Sequence, residues 1–228
     1  MAILLQIETA TQVCSAALSV NGKTVALKEL AAQNIHAGSL TLFIEEVMKK
    51  AGVAYADLDA VAVSSGPGSY TGLRIGVSTA KGICFAVDRP LIGISTLRMM
   101  VKGFLEANPG YTGLVCPMID ARRMEVFTGL YNTSLQEVLP VTAKIIDEQA
   151  YQEELATQHI TFIGDGALKC SDSILSPNAE FSSLNFNSAA NMSTLAYQAL
   201  SEGHFEDVAY FEPYYLKDFV ITPAKKKV

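Results

Sequence analysis

One pattern in this chain occurs twice, and it limits the folds open to it. Ile3–Ile7 is a short apolar run that stops at Glu8, and a second strand-like run, Val13–Val20, follows after a tight turn. In the second half Leu114–Ile119 stops at Asp120, and Met124–Tyr131 follows in the same way. Apolar strand, acid, turn and second strand, met once in each half, point to an internal duplication, although each copy is short. With 228 residues the chain has room for one large domain or two small ones.

The remaining segments alternate between the two periodicities. Thr24–Leu30 follows Asn21-Gly22, a pair that tolerates the positive φ of a hairpin turn. His36–Ala51 predicts a helix ended by Gly52, with Leu40, Phe43, Ile44, Val47, Met48 and Ala51 on one stripe and Leu42 off it. Leu58–Val63 reads as a buried strand. The loop Ser64–Ser69 then opens a helix over Tyr70–Val87. This helix carries only Arg74 and Lys81 as charges and is apolar on every side, so it needs cover on more than one face. Gly72, Gly76, Ala80 and Gly82 thin one side of it for the close approach of another backbone. Leu91–Ile94 and Ile160–Ile163 predict further strands, Gly164-Asp165-Gly166 a turn, and Ala189–Ser201 a helix. The end of the chain, 221–228 with Lys225-Lys226-Lys227, is expected to be a flexible tail.

Composition excludes several functions. Only 18% of residues are charged, below the roughly 25% usual in globular domains, so apolar surface is expected to meet a partner. The net charge of -6 opposes direct binding of nucleic acid, which needs clustered Lys and Arg; any RNA role is expected to run through a more basic partner. Cys14, Cys84, Cys116 and Cys170 form no CxxC pair, which argues for buried, reduced thiols rather than a zinc or redox site. The opening MAILLQIETA has no basic region ahead of its apolar run, and no stretch of about 20 apolar residues lacks Gly, Pro or charge. A soluble, cytoplasmic protein is expected, with no membrane segment.

Two motifs bear on chemistry. Glu8 and Asp120 sit where a pair of carboxylates could flank a metal-nucleotide between two lobes, with Thr9, Gly164 and Gly166 beside them; a solvated or turn-capping acid is the ordinary alternative. Gly66-Pro67-Gly68-Ser69 ahead of a helix could cradle an anion, but it lacks the Gly-Lys-[Ser/Thr] of a P-loop.

The whole string Ser65-Gly66-Pro67-Gly68-Ser69-Tyr70-Thr71-Gly72-Leu73-Arg74-Ile75-Gly76 closely resembles the signature of the bacterial TsaB (YeaZ) family. Ile7–Thr11 with Cys14–Leu18 looks like that family's start, with Glu8 where Asp is usual. Pro90–Leu97, Ile119–Arg122 with Glu125-Val126, and Glu212–Lys217 (Lys in place of Arg at the end) agree in order and spacing, and the likeness is weakest from Tyr131 to Asn187. The resemblance implies an α/β protein of the two-lobed actin-like ATPase (ribonuclease H-like) fold. Its lobes would run over about 1–98, joined by about 206–220, and over about 99–205. It also implies a non-catalytic subunit that binds the catalytic paralogue TsaD and the small ATPase TsaE, forms a homodimer when isolated, and serves formation of threonylcarbamoyladenosine beside the tRNA anticodon. tRNA would be met only indirectly, and ATP and a metal ion would belong to the partner subunits.

That paralogue holds its metal through two histidines one helical turn apart, a spacing that lets two imidazoles converge on one ion. The corresponding positions here are Thr96 and Met100, and His36, His159 and His204 are scattered, so no metal site and no catalytic residue can be read. The resemblance places the partner interface on the two helices, through Leu40, Phe43, Ile44, Val47, Met48, Leu73, Arg74, Ile75 and Val77; for Phe43, Val47 and Leu73, each taken singly, a place in the lobe's own core is at least as good a reading. The competing functions on this fold are a metalloprotease, which lacks its ligands, and a sugar-kinase-like phosphotransferase, for which Gly164-Asp165-Gly166 is a poor adenosine-binding pair.

Overall fold

The computed structural model describes residues 1–32 and 35–217; the lysines of the tail lie outside the described residues. The repeated motif becomes two five-stranded sheets of the same plan. In the first, β1 (Ile3–Glu8), β2 (Val13–Val20) and β3 (Lys23–Ala31) form an antiparallel meander, and β4 (Ala60–Gly66) and β5 (Leu91–Ser95) add in parallel on the other side of β1, giving the order β3-β2-β1-β4-β5. In the second, β6 (Leu114–Asp120), β7 (Glu125–Tyr131) and β8 (Glu137–Ile145) form the meander, and β9 (Ile160–Ile163) and β10 (Ala179–Phe181) add in parallel beside β6. A duplication visible in the sequence as one strand pair is thus a duplication of the whole sheet order, and the fold is the two-lobed actin-like α/β fold. Strand β8, which the sequence does not single out, is an edge strand with half its residues exposed.

Helix α1 (His36–Ala51) and helix α2 (Tyr70–Val87) fall on the residues that their periodicity predicts. Gly52 ends α1 in the left-handed region (φ 67°), and Asn21 and Gly22 turn the β2–β3 hairpin with φ of 49° and 76°. The Ser69 hydroxyl caps α2 by accepting the Gly72 N–H. α3 (Thr96–Ala107) follows β5, capped by Ser95. The expected helix 189–201 is a short 3-10 turn, Ala189–Met192, leading into α5 (Ser193–Glu202); α4 (Gln152–Leu155) is one turn.

Each face of β1 has its own core. Ile3, Leu5 and Ile7 pack with Leu40, Ile44, Val47 and Val77 beneath α1 and α2. Leu4 faces the other way, into a core that joins Ala62, Ile92 and Ile94 of the first sheet to Val115, Ile119 and Ile163 of the second through Leu97, Met100 and Phe104 of α3 and Leu195 of α5. Separating the sheets would expose these side chains at roughly 1.5–3 kcal/mol for each fully buried Leu or Ile. Helix α5, inside the stretch 99–205, packs on β1, β2, β3 and β5 of the first sheet.

Residues 206–217 return to the first lobe as a strap. Glu206 bridges Leu91, the Tyr214 N–H donates to Ser65 O, and Lys81 donates to the carbonyls of Ala209 and Phe211. The strap covers part of the side of α2 that the sheet leaves open, with the Tyr215 ring 4.8 Å from that of Tyr70.

Candidate functional site

The residues expected to line a nucleotide cleft are differently employed. Glu8 ends β1 fully buried; its Oε1 accepts the Ala10 N–H at 2.6 Å, and Oε2 has no partner among the described residues. Loss of solvent pushes its carboxyl up to about 7, against the opposing bonds from Ala10 and the Ser64 hydroxyl. So enclosed, it favours its neutral form and is a poor partner for a hydrated divalent cation. Thr9 faces α2 rather than a cleft: its hydroxyl donates to Gly72 O at 2.8 Å. Gly72 and Gly76 allow this approach, because a Cβ on either would lie 2.1 Å from Thr9 O and 2.2 Å from Thr9 Oγ1 respectively. The backbone admitted by the small residues of α2 is thus the β1–β2 turn of the same lobe, while among the described residues nothing lies near Gly82.

Asp120 is exposed at the end of β6, where Lys169 donates to its Oδ1 and the Arg122 N–H donates to the same oxygen. Gly164 (φ 99°) and Gly166 serve packing: a Cβ on Gly164 would meet Met118 O and Met100 Cε at 2.5 Å, and one on Gly166 would meet Asp120 N at 3.0 Å. Thr96 and Met100 are both fully buried; the Thr96 hydroxyl has no partner among the described residues, and Met100 packs against Gly164. The histidines stay apart. His36 is buried beside Val13 O, His159 pairs with Glu180, and His204 with Glu202. All four cysteines are free and buried, and burial pushes Cys14, Cys84 and Cys116 up to about 11, which makes them weak nucleophiles.

The helix pair requires a correction. Leu40, Phe43, Ile44, Val47, Met48, Leu73 and Val77 are closed into the first lobe, none more than 8% exposed, and cannot meet a partner. An amphipathic stripe turns toward the nearest apolar surface, and here that surface is the lobe's own sheet. Of the nine expected residues, Arg74 is exposed and Ile75 half-buried. The outward face instead carries Leu42 at 60% and Phe85 at 85% exposure. Leu42 was legible as the apolar residue off the stripe; Phe85 was hidden because α2 is apolar all round. Two cavities flank this face. One, of about 290 Å³, lies between α2 and the strap, and one of about 560 Å³ is lined by Ala37, Tyr70, Thr71, Arg74, Ile75, Ser78 and Thr79.

Two sheets of one plan around a shared core, with buried or ion-paired acids at the strand ends, define a protein of the actin-like class. A family model described as TsaD, tRNA N6-adenosine threonylcarbamoyltransferase, matches residues 29–226. The Escherichia coli (strain K12) protein called tRNA threonylcarbamoyladenosine biosynthesis protein TsaB is 30% identical over 95% of both chains. The tRNA N6-adenosine threonylcarbamoyltransferase of Bacillus subtilis (strain 168) is 34% identical over 51% of this chain and 37% of its own. A crystal structure titled YeaZ from Pseudomonas aeruginosa superposes with a TM-score of 0.81 at 28% identity, over 95% of this chain and 100% of that one. The chain belongs to the TsaB (YeaZ) family. The Clostridium difficile activator of 2-hydroxyisocaproyl-CoA dehydratase, with a TM-score of 0.52 at 10% identity, shares the fold alone. Among the described residues no helix is long and apolar enough to cross a membrane.

Proposed function

We propose that this chain serves formation of threonylcarbamoyladenosine in tRNA as a non-catalytic, cytoplasmic subunit that binds and activates TsaD together with TsaE. The pathway comes from the family, whose E. coli relative is named for it. The observation that carries the non-catalytic reading is the pair Thr96 and Met100, a buried hydroxyl and a thioether packed on Gly164, standing where the resemblance puts the paralogue's two ligating histidines. Among the described residues no group of His, Cys, Asp and Glu is arranged to hold a metal ion. ATP and metal then belong to the partners, and tRNA is met chiefly through them.

The partner surface is the outward face of α1 and α2, centred on Leu42, Ile75 and Phe85 with Arg74 at its edge, and the same face pairs with a second copy when TsaD is absent. Its support is Phe85, an aromatic ring left 85% exposed on a helix. Reconstitution tests the reading: TsaD, TsaE, tRNA, ATP and a preformed activated threonylcarbamoyl donor are assayed with and without this chain. Modified adenosine should form only when all three proteins are present. Product from this chain without TsaD would refute the non-catalytic role. Leu42→Glu and Phe85→Glu should leave the melting temperature within a few degrees and abolish both association and product.

A further inference from the structure

The chain is acidic overall, but one turn runs against that balance. Between β6 and β7, Arg122 and Arg123 both take positive φ, 73° and 51°, a backbone region that favours Gly or Asn and that bulky side chains rarely adopt. Both are exposed, and among the described residues neither guanidinium has a hydrogen bond or ion pair. Their acidic neighbours are already engaged: Asp120 by Lys169 and the Arg122 N–H, Asp165 by the Asp120 N–H, and Glu125 by Lys217. The lysines thus pair with Asp120 and Glu125, and the arginines keep their charge facing solvent. The Arg123 and Met124 N–H groups also have no acceptor among the described residues, so successive backbone donors stand beside the two guanidiniums. Forked guanidiniums with adjacent free N–H groups match the oxygens of a phosphate.

From this turn we infer a contact for the phosphate groups of an RNA backbone. It deepens the reading given under the proposed function, on which it rests, by assigning the chain a direct share in holding tRNA once its partner has engaged it. An open turn suits a phosphodiester on an extended chain. A free nucleotide needs enclosure for its base, and neither arginine lines the two cavities beside α2. With a net charge of -6 the chain alone binds tRNA weakly, so the turn acts as a supplement to a stronger contact made elsewhere.

The test uses end-labelled tRNA, titrated over a range of salt concentrations, first into the complex of this chain with TsaD and then into this chain alone at low ionic strength. Arg122→Gln/Arg123→Gln removes the charges. Arg122→Gly/Arg123→Gly removes them while easing the backbone, so its fold is secure. Both variants should bind TsaD as the wild type does, weaken tRNA binding by the complex about ten-fold, and reduce its salt slope by about one to two. Both should also remove most of the weak binding by the isolated chain. Failure of the wild type to assemble with TsaD counts against the proposed function, and the isolated-chain arm still decides the turn. Unchanged affinity and slope, absence of tRNA binding in both arms, or loss of TsaD binding (which would make the turn a protein contact) overturns the inference. So does loss of ATP binding, followed by calorimetry, with tRNA binding intact.

Discussion

Gly72→Ala and Gly82→Ala are the same substitution in the same helix, and they should shift stability in opposite directions. Ala at an exposed helix position is worth about 0.8–1 kcal/mol over Gly. At Gly82 nothing among the described residues stands within 4 Å of the new methyl, so that gain is realised, and at about 2–4 °C per kcal/mol the melting temperature should rise by roughly 2–4 °C. At Gly72 the methyl would lie 2.1 Å from Thr9 O, and the turn must retreat by about 1.3 Å to reach ordinary contact. That turn is tied to α2 by the Thr9 hydroxyl on Gly72 O and by the Ser69 N–H on Ala10 O. Overpacking costs about 1–3 kcal/mol and loss of a hydrogen bond about 0.5–1.5, so after the helix gain a net loss of about 1–3 kcal/mol remains. The melting temperature should then fall by roughly 3–10 °C. Thermal unfolding followed by circular dichroism, with all three proteins in one buffer, checks it. If Gly72→Ala is as stable as Gly82→Ala, the turn does not brace the helix and the account of its glycines is wrong.

Further outcomes follow from the buried polar groups and the core. Glu8 has a folded value of about 7 against 4.5 for a free carboxyl. The folded state therefore holds the proton more tightly, and stability falls as pH rises from about 4.5 to 7, by about 3 kcal/mol in all. Glu8→Gln should flatten that slope in pH-dependent denaturant titrations and stabilise the protein above about pH 7; a slope unchanged in the variant would assign it to other groups. Thr96→Val removes a buried hydroxyl that lacks a partner among the described residues, so the melting temperature should hold or rise by a few degrees, with the reconstituted activity intact. A clear fall would reveal a bond to that hydroxyl. Val47→Glu puts a carboxylate into a fully buried site and should unfold the lobe, at a cost of more than about 4 kcal/mol. A folded, soluble Val47→Glu protein would show that α1 does not pack as described.

Local order was legible wherever one periodicity ran unbroken. The bounds of α1 and α2, the Asn21-Gly22 hairpin and the repeated strand with its acidic end all follow from spacing and turn chemistry, which act within a few residues. β8 escaped because an edge strand buries only part of each face, which leaves a weak alternation in Glu137–Ile145. Whatever depended on neighbours distant in sequence was left to the tertiary structure. Spacing identifies the apolar stripe of α1 but not its cover, and the lobe's own sheet took Phe43 and Val47, leaving Leu42 and Phe85 outside. An acid at a strand end reads alike in both halves. Burial pushes the Glu8 carboxyl up to about 7 against the bonds from Ala10 and Ser64, whereas Asp120 stays at the surface with Lys169, because burial and charge pairing are set by which elements meet.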